Sequence, residues 1–249
     1  MSIKFRLRVL RRRWQLWRQR AATNLRGWGL VLLSLGGGPI ELWVGDSHAS
    51  HLNTSDWPVP AQNRVAPRRY VRHLGPRLMF SLARDGFPPD IVRLARRLGR
   101  YGRVPITLLL VVGEIDIRCH LGPRLAGTAT PLDFPATYVE HGQALGALAR
   151  AEQVVFVVPV PPSDEVQDAQ GFPVAGTLAE RLDVFGRLRA ALQAAVDPTD
   201  ALLLDATPGL ADGTGALRTE LSFDGCHVNA AGRVVVRAEF DTLRARQDA

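Results

Sequence analysis

Apolar and polar positions follow two different periods along the chain. "IELWVG" (40–45), "RYVRHLG" (69–75), "VPITLLLVVG" (104–113), "QVVFVVPV" (153–160) and "ALLLDA" (201–206) are short, mostly apolar runs. Runs of this length and composition are expected of strands covered on both faces. Stretches around 77–84, 89–100, 135–150, 177–196 and 229–246 carry the wider helical period. Strands separated by helices predict an α/β fold, a three-layer sandwich around a mainly parallel five-stranded sheet. Right-handed crossovers then bring every strand's C-terminal end to one edge, where ligands bind in open α/β sheets. The proline-bearing stretch 57–67 reads as a loop.

Upstream of the first strand the pattern changes. Leu7, Leu10, Trp14, Trp17 and Ala21 recur at spacings of three and four, which predicts one apolar stripe on a helix otherwise covered by arginine. "GGGP" (36–39) then breaks the chain, dividing it into a helical arm with its linker (1–38) and an α/β domain (39–249). The net charge of +7 belongs to the arm, because residues 1–26 hold nine basic side chains and no acid. The rest is close to neutral. A basic amphipathic segment with tryptophans suits an anionic membrane surface, with contact through residues 5–21. Packing on the body or on a second subunit accounts for the same stripe. No nucleic-acid partner is expected, since no recognition motif or aromatic-lined groove accompanies the charge.

No apolar run reaches the length of a membrane span. Two cysteines, Cys119 and Cys226, are too few for a disulfide framework and lack structural-zinc spacing. The expected location is the cytoplasm, peripheral on the inner face of the membrane where the arm docks there.

Candidate chemistry gathers behind the strands. The first strand ends in Asp46-Ser47-His48, the second in His73-Leu74-Gly75, the third in Glu114-Ile115-Asp116-Ile117-Arg118-Cys119-His120, and "FDGCHVN" (223–229) precedes the last helix. Asp and Ser after a strand commonly cap a helix. However, Asp224 and His227, three apart on one turn, also place a carboxylate against an imidazole, the arrangement that a serine nucleophile requires. "GDSH" (45–48) and "DGCH" (224–227) resemble, in order and spacing, the first and last blocks of the SGNH (GDSL-like) hydrolases, over roughly residues 40–245. The resemblance implies a flavodoxin-like sheet with Ser47 as nucleophile, His227 as base and Asp224 as its orienter. Gly75 would be an oxyanion donor beside the Ser47 N–H.

The third block departs from the family's Gly-x-Asn-Asp, because "GEID" (113–116) puts Ile115 where a donating Asn would stand. Such a donor contributes about 3 kcal/mol to transition-state stabilisation, so Arg118 is a candidate replacement. Glu114, Asp116 and Arg118 fit substrate contact and a structural ion-pair network equally well. His48 and His120 are candidates to line the pocket. "GEIDIRCH" (113–120) resembles a subgroup associated with bacterial glycan modification. The expected activity is therefore hydrolysis or transfer of an acyl ester, with a small acylated substrate such as a carbohydrate and no metal or organic cofactor. Two other readings stay open. One is a catalytically impaired glycan- or partner-binding protein. The other is a metal-dependent phosphoesterase using Asp46, His48, Asp116, His120, Asp224 and His227.

Overall fold

The computed structural model describes residues 24–54, 62–125, 127–128, 131–166 and 172–247. The expected arm helix at 5–21 lies outside them. The first described element is α1 (24–33), which contributes Leu30 and Val31 to the core. A six-stranded sheet follows, built from β1 (Ile40–Gly45), β2 (Gln62–Ala66), β3 (Arg69–His73), β4 (Ile106–Val111), β5 (Gln153–Val157) and β6 (Leu202–Leu204). Their order across the sheet is β2-β3-β1-β4-β5-β6, and every pairing is parallel except β2 with β3.

The sixth strand corrects the expectation of five. β2 falls where prolines suggested a loop. It is an edge strand, half-exposed along most of its length, and its pairing shifts register between Arg64 and Ala66. Such a strand has one neighbour and little apolar surface to bury, so its pattern is weak.

Alternation along each strand sorts side chains into two cores. Leu42 and Val44 of β1, Leu108 and Leu110 of β4, and Val154 and Phe156 of β5 face one side. There they meet α3 (Met79–Asp85), α4 (Pro89–Tyr101), α6 (Phe134–Ala149) and α7 (Leu178–Ala195). Trp43, Leu109, Val111, Val155 and Val157 face the other side, against α2 (Ser47–His51), α8 (Thr207–Leu210) and α9 (Ala230–Gln247). The result is three layers, as the unbroken apolar runs require. After β4 the chain enters a π-helical turn (Asp116–Leu121) that continues into α5 (Gly122–Leu125). π-turns of this kind recur at functional sites.

Candidate active site

Gly45 ends β1 where the backbones of β1 and β4 nearly touch: a Cβ there would lie 1.9 Å from the Val111 carbonyl oxygen. This close approach aims the next residues, Asp46 and Ser47, off the sheet edge. Asp46 caps α2, its Oδ1 accepting from the His48 N–H at 2.9 Å. It is fully buried, and among the described residues its Oδ2 has no hydrogen-bond partner. Burial, reinforced by the charge of Glu114, pushes its carboxyl up to about 7.

The loop before α9 supplies the facing groups. Ser222 organises it: its hydroxyl accepts from the Gly225 N–H at 2.9 Å and donates to the His227 carbonyl at 2.8 Å. Gly225 has φ +76°, and a Cβ there would collide with the Glu165 backbone. Asp224 Oδ1 accepts from the N–H groups of Cys226 (2.9 Å) and His227 (2.6 Å). Its Oδ2 lies 2.7 Å from His227 Nδ1, and His227 Nε2 lies 2.9 Å from Ser47 Oγ. Partial burial opposes the Asp224 charge, but the His227 side chain and these N–H donors outweigh it and hold the carboxyl at about 2. A carboxylate ionised at any working pH fixes the imidazole with its proton on Nδ1, leaving Nε2 free to accept from the serine hydroxyl.

His227 stands among aromatic neighbours. His48 and Phe223 stack on it at 4.7 and 5.8 Å between ring centres, and His51 lies tilted against it at 4.2 Å. Burial and the neighbouring imidazoles drive His51 down to about 3, so it stays neutral. His51 and Phe223 were not anticipated from sequence. The spacing of His48 and His51, three apart on one helix, was the available signal.

The remaining sequence candidates divide. Glu114 and Arg118 form a buried bidentate pair, with Nε–Oε1 at 2.5 Å and Nη2–Oε2 at 3.1 Å; Nη1 of Arg118 donates to the Phe172 carbonyl at 2.7 Å. Burial works against the Glu114 charge, yet His48 and Arg118 bring it down to about 2. His48 Nε2 lies 3.6 Å from Glu114 and 3.7 Å from the Cys226 sulfur. Asp116 is turned away into the fold, where it accepts the Met79 N–H (2.7 Å) and Phe80 N–H (3.2 Å) at the start of α3. Ile115 is buried and offers no donor. His120 is half-buried on the π-helical turn and, among the described residues, makes no hydrogen bond to Ser47 or His227. Gly75 has φ +75°, and its N–H points to His73 Nδ1 at 3.3 Å, a long bond.

The six carboxylate and histidine residues of a phosphoesterase metal site do not converge. Among the described residues, His48, Cys226 and His227 place ligand atoms within 4.8 Å of one another. Burial raises the Cys226 thiol well above its ordinary range, and both His227 nitrogens are engaged by Asp224 and Ser47. This donor set is a poor fit to a resident metal.

No family model matches the sequence, and no curated protein is significantly similar to it. Solved structures are. A Streptococcus pneumonia protein provisionally described as a platelet activating factor aligns over 97% of this chain and 99% of its own, at 17% identity and TM-score 0.53. A GDSL-like lipase from Bacteroides thetaiotaomicron aligns over 82% and 86%, at 11% identity and TM-score 0.50. A provisionally assigned acylhydrolase from Bacteroides fragilis aligns over 83% and 91%, at 16% identity and TM-score 0.50. The chain shares the fold of these three structures, a GDSL-like lipase among them. In this fold Ser47 follows β1, Gly75 follows β3 and the Asp224–His227 turn precedes α9, so three separate loops reach the same edge of the sheet.

Proposed function

We propose that the protein is a serine esterase acting on small acyl esters through Ser47, His227 and Asp224. The observation that carries this reading is the continuous hydrogen-bonded line from Ser47 Oγ through His227 to Asp224, at 2.9 and 2.7 Å. His227 Nε2 takes the hydroxyl proton as Ser47 Oγ attacks the ester carbonyl, and the imidazolium that forms is stabilised by Asp224. The N–H groups of Ser47 and Gly75 receive the oxyanion. His227 then returns the proton to the departing alkoxide, leaving an acyl-serine. Water, deprotonated by the same imidazole, releases the acid and regenerates the serine. If a sugar hydroxyl replaces water in this second half, the same residues perform O-acyl transfer. The "GEIDIRCH" stretch is the feature that favours a carbohydrate as the acylated partner.

Glu114 and Arg118 brace the wall beside His48 in this reading, and the oxyanion hole relies on backbone donors. The test is steady-state hydrolysis of p-nitrophenyl acetate. Wild type turns over, and Ser47→Ala loses about 10⁴-fold or more in kcat. Equal turnover by the two proteins would overturn the assignment.

A further inference from the structure

The surface of α1 is unusual for a helix packed on a soluble domain. Gly27, Leu30, Val31 and Ser34 form its buried stripe, and the Ser34 carbonyl accepts the N–H groups of Arg103 (2.7 Å) and Val104 (3.2 Å) where α4 leads into β4. The opposite stripe is apolar too. Leu25 is 72% and Leu32 65% exposed, with Trp28, Leu33 and Leu35 also exposed. Contiguous exposed apolar patches of this kind mark interaction surfaces.

What covers this face is indicated by charge. Arg97 lies over the Trp28 ring at 4.8 Å, and Arg93, Arg96, Arg100 and Arg103 are exposed alongside. Among the described residues none of these five forms an ion pair with a carboxylate. Residues 1–40 contain no Asp or Glu. A second copy laid on this face would bring two arginine-rich surfaces together with no acid between them, which like-charge repulsion disfavours. In the sequence, the spacing of three and four that links Leu25, Trp28, Leu32 and Leu35 also links Leu7, Leu10, Trp14, Trp17 and Ala21, which lie outside the described residues. Leucine and tryptophan flanked by arginine match the chemistry of the bilayer interface.

We propose that α1, flanked by the α4 arginines, docks the protein peripherally on an anionic lipid bilayer. No helix among the described residues is long and apolar enough to cross a membrane, so contact is along the surface. The Arg26 carbonyl, at the start of α1, accepts from Gln62 Nε2 at 2.7 Å. Gln62 stands opposite Arg72, just before the His73–Gly75 turn. The N-terminal end of the docking helix thus lies towards the sheet edge that carries Ser47.

The test is sedimentation of the full chain with phosphatidylcholine vesicles, with and without phosphatidylglycerol. Wild type is expected to pellet with the anionic vesicles, to stay in solution with neutral ones and to be released by salt. Combining Leu25→Ser, Leu32→Ser and Leu35→Ser is expected to weaken anionic-vesicle binding about tenfold, with esterase activity and melting temperature unchanged. Binding equal to wild type in that variant, or no vesicle binding by wild type, overturns the proposal. So does a wild-type dimer in light scattering that the triple substitution dissolves, because a second copy would then cover the face.

Discussion

At the residue scale, two carboxylates, Asp224 and Asp46, are driven in opposite directions. Asp224 is held at about 2 by His227 and backbone donors against its burial, whereas Asp46 is raised to about 7, chiefly by burial. Asp224→Asn is expected to keep the fold and lower kcat by about 10³–10⁴-fold, because an amide can hold the wrong imidazole tautomer. A variant within tenfold of wild type would mean that Asp224 does not orient the base. Asp46 affects stability instead. Its folded value lies above its unfolded value, so the native state binds the extra proton, and its contribution to stability is lost as the pH rises from about 4 through about 7. Asp46→Asn retains an oxygen to cap α2 and cannot ionise. It should flatten the dependence of melting temperature on pH across that window, and an unchanged slope would contradict the assignment.

The residues of the hydrogen-bonded line were readable because each lies within a short local block, Gly45–His48 or Asp224–His227, whose spacing suggests that chemistry. His51 was not, because its place beside His227 depends on α2 packing against a loop more than 170 residues later in the chain, and Phe223, though on that loop, carries no chemistry in its spacing.

At the element scale, buried strands gave the clearest signals and edges the weakest. β1, β4 and β5 were visible as apolar runs, since both faces of each are covered. β2 was not, because an edge strand with one neighbour lacks that pressure. Neither was the turn after β4. There Glu114, Asp116 and Arg118 looked equally suited to ligand or structure, and only packing shows Asp116 holding α3 and Arg118 holding Glu114. Glu114→Gln leaves the Arg118 guanidinium buried without its counter-charge and is expected to cost about 3 kcal/mol in denaturant unfolding. A loss below about 1 kcal/mol would mean that the pair behaves as a solvent-exposed one. Gly45→Ala tests the close approach of β1 and β4. A methyl group 1.9 Å from the Val111 oxygen cannot be accommodated without separating the strands, so the variant should fail to fold or lose several kcal/mol, about the upper range of overpacked cores.

At the scale of the whole molecule, the parallel sheet explains why residues 47, 75, 224 and 227 share one neighbourhood. Right-handed crossovers deliver every loop that follows a parallel strand to the same edge, and the long helices α4, α6, α7 and α9 keep those loops in place without entering the site. The candidate site is thus carried by loops on a three-layer frame, and Ile115, buried in the fold, takes no part in the line from serine to carboxylate. The most direct test of that line is labelling with a fluorophosphonate probe, which reacts only with an activated serine. The account predicts stoichiometric labelling of wild type, none of Ser47→Ala and greatly slowed labelling of His227→Ala. Labelling of Ser47→Ala at the wild-type rate, or none of folded wild type, would contradict it.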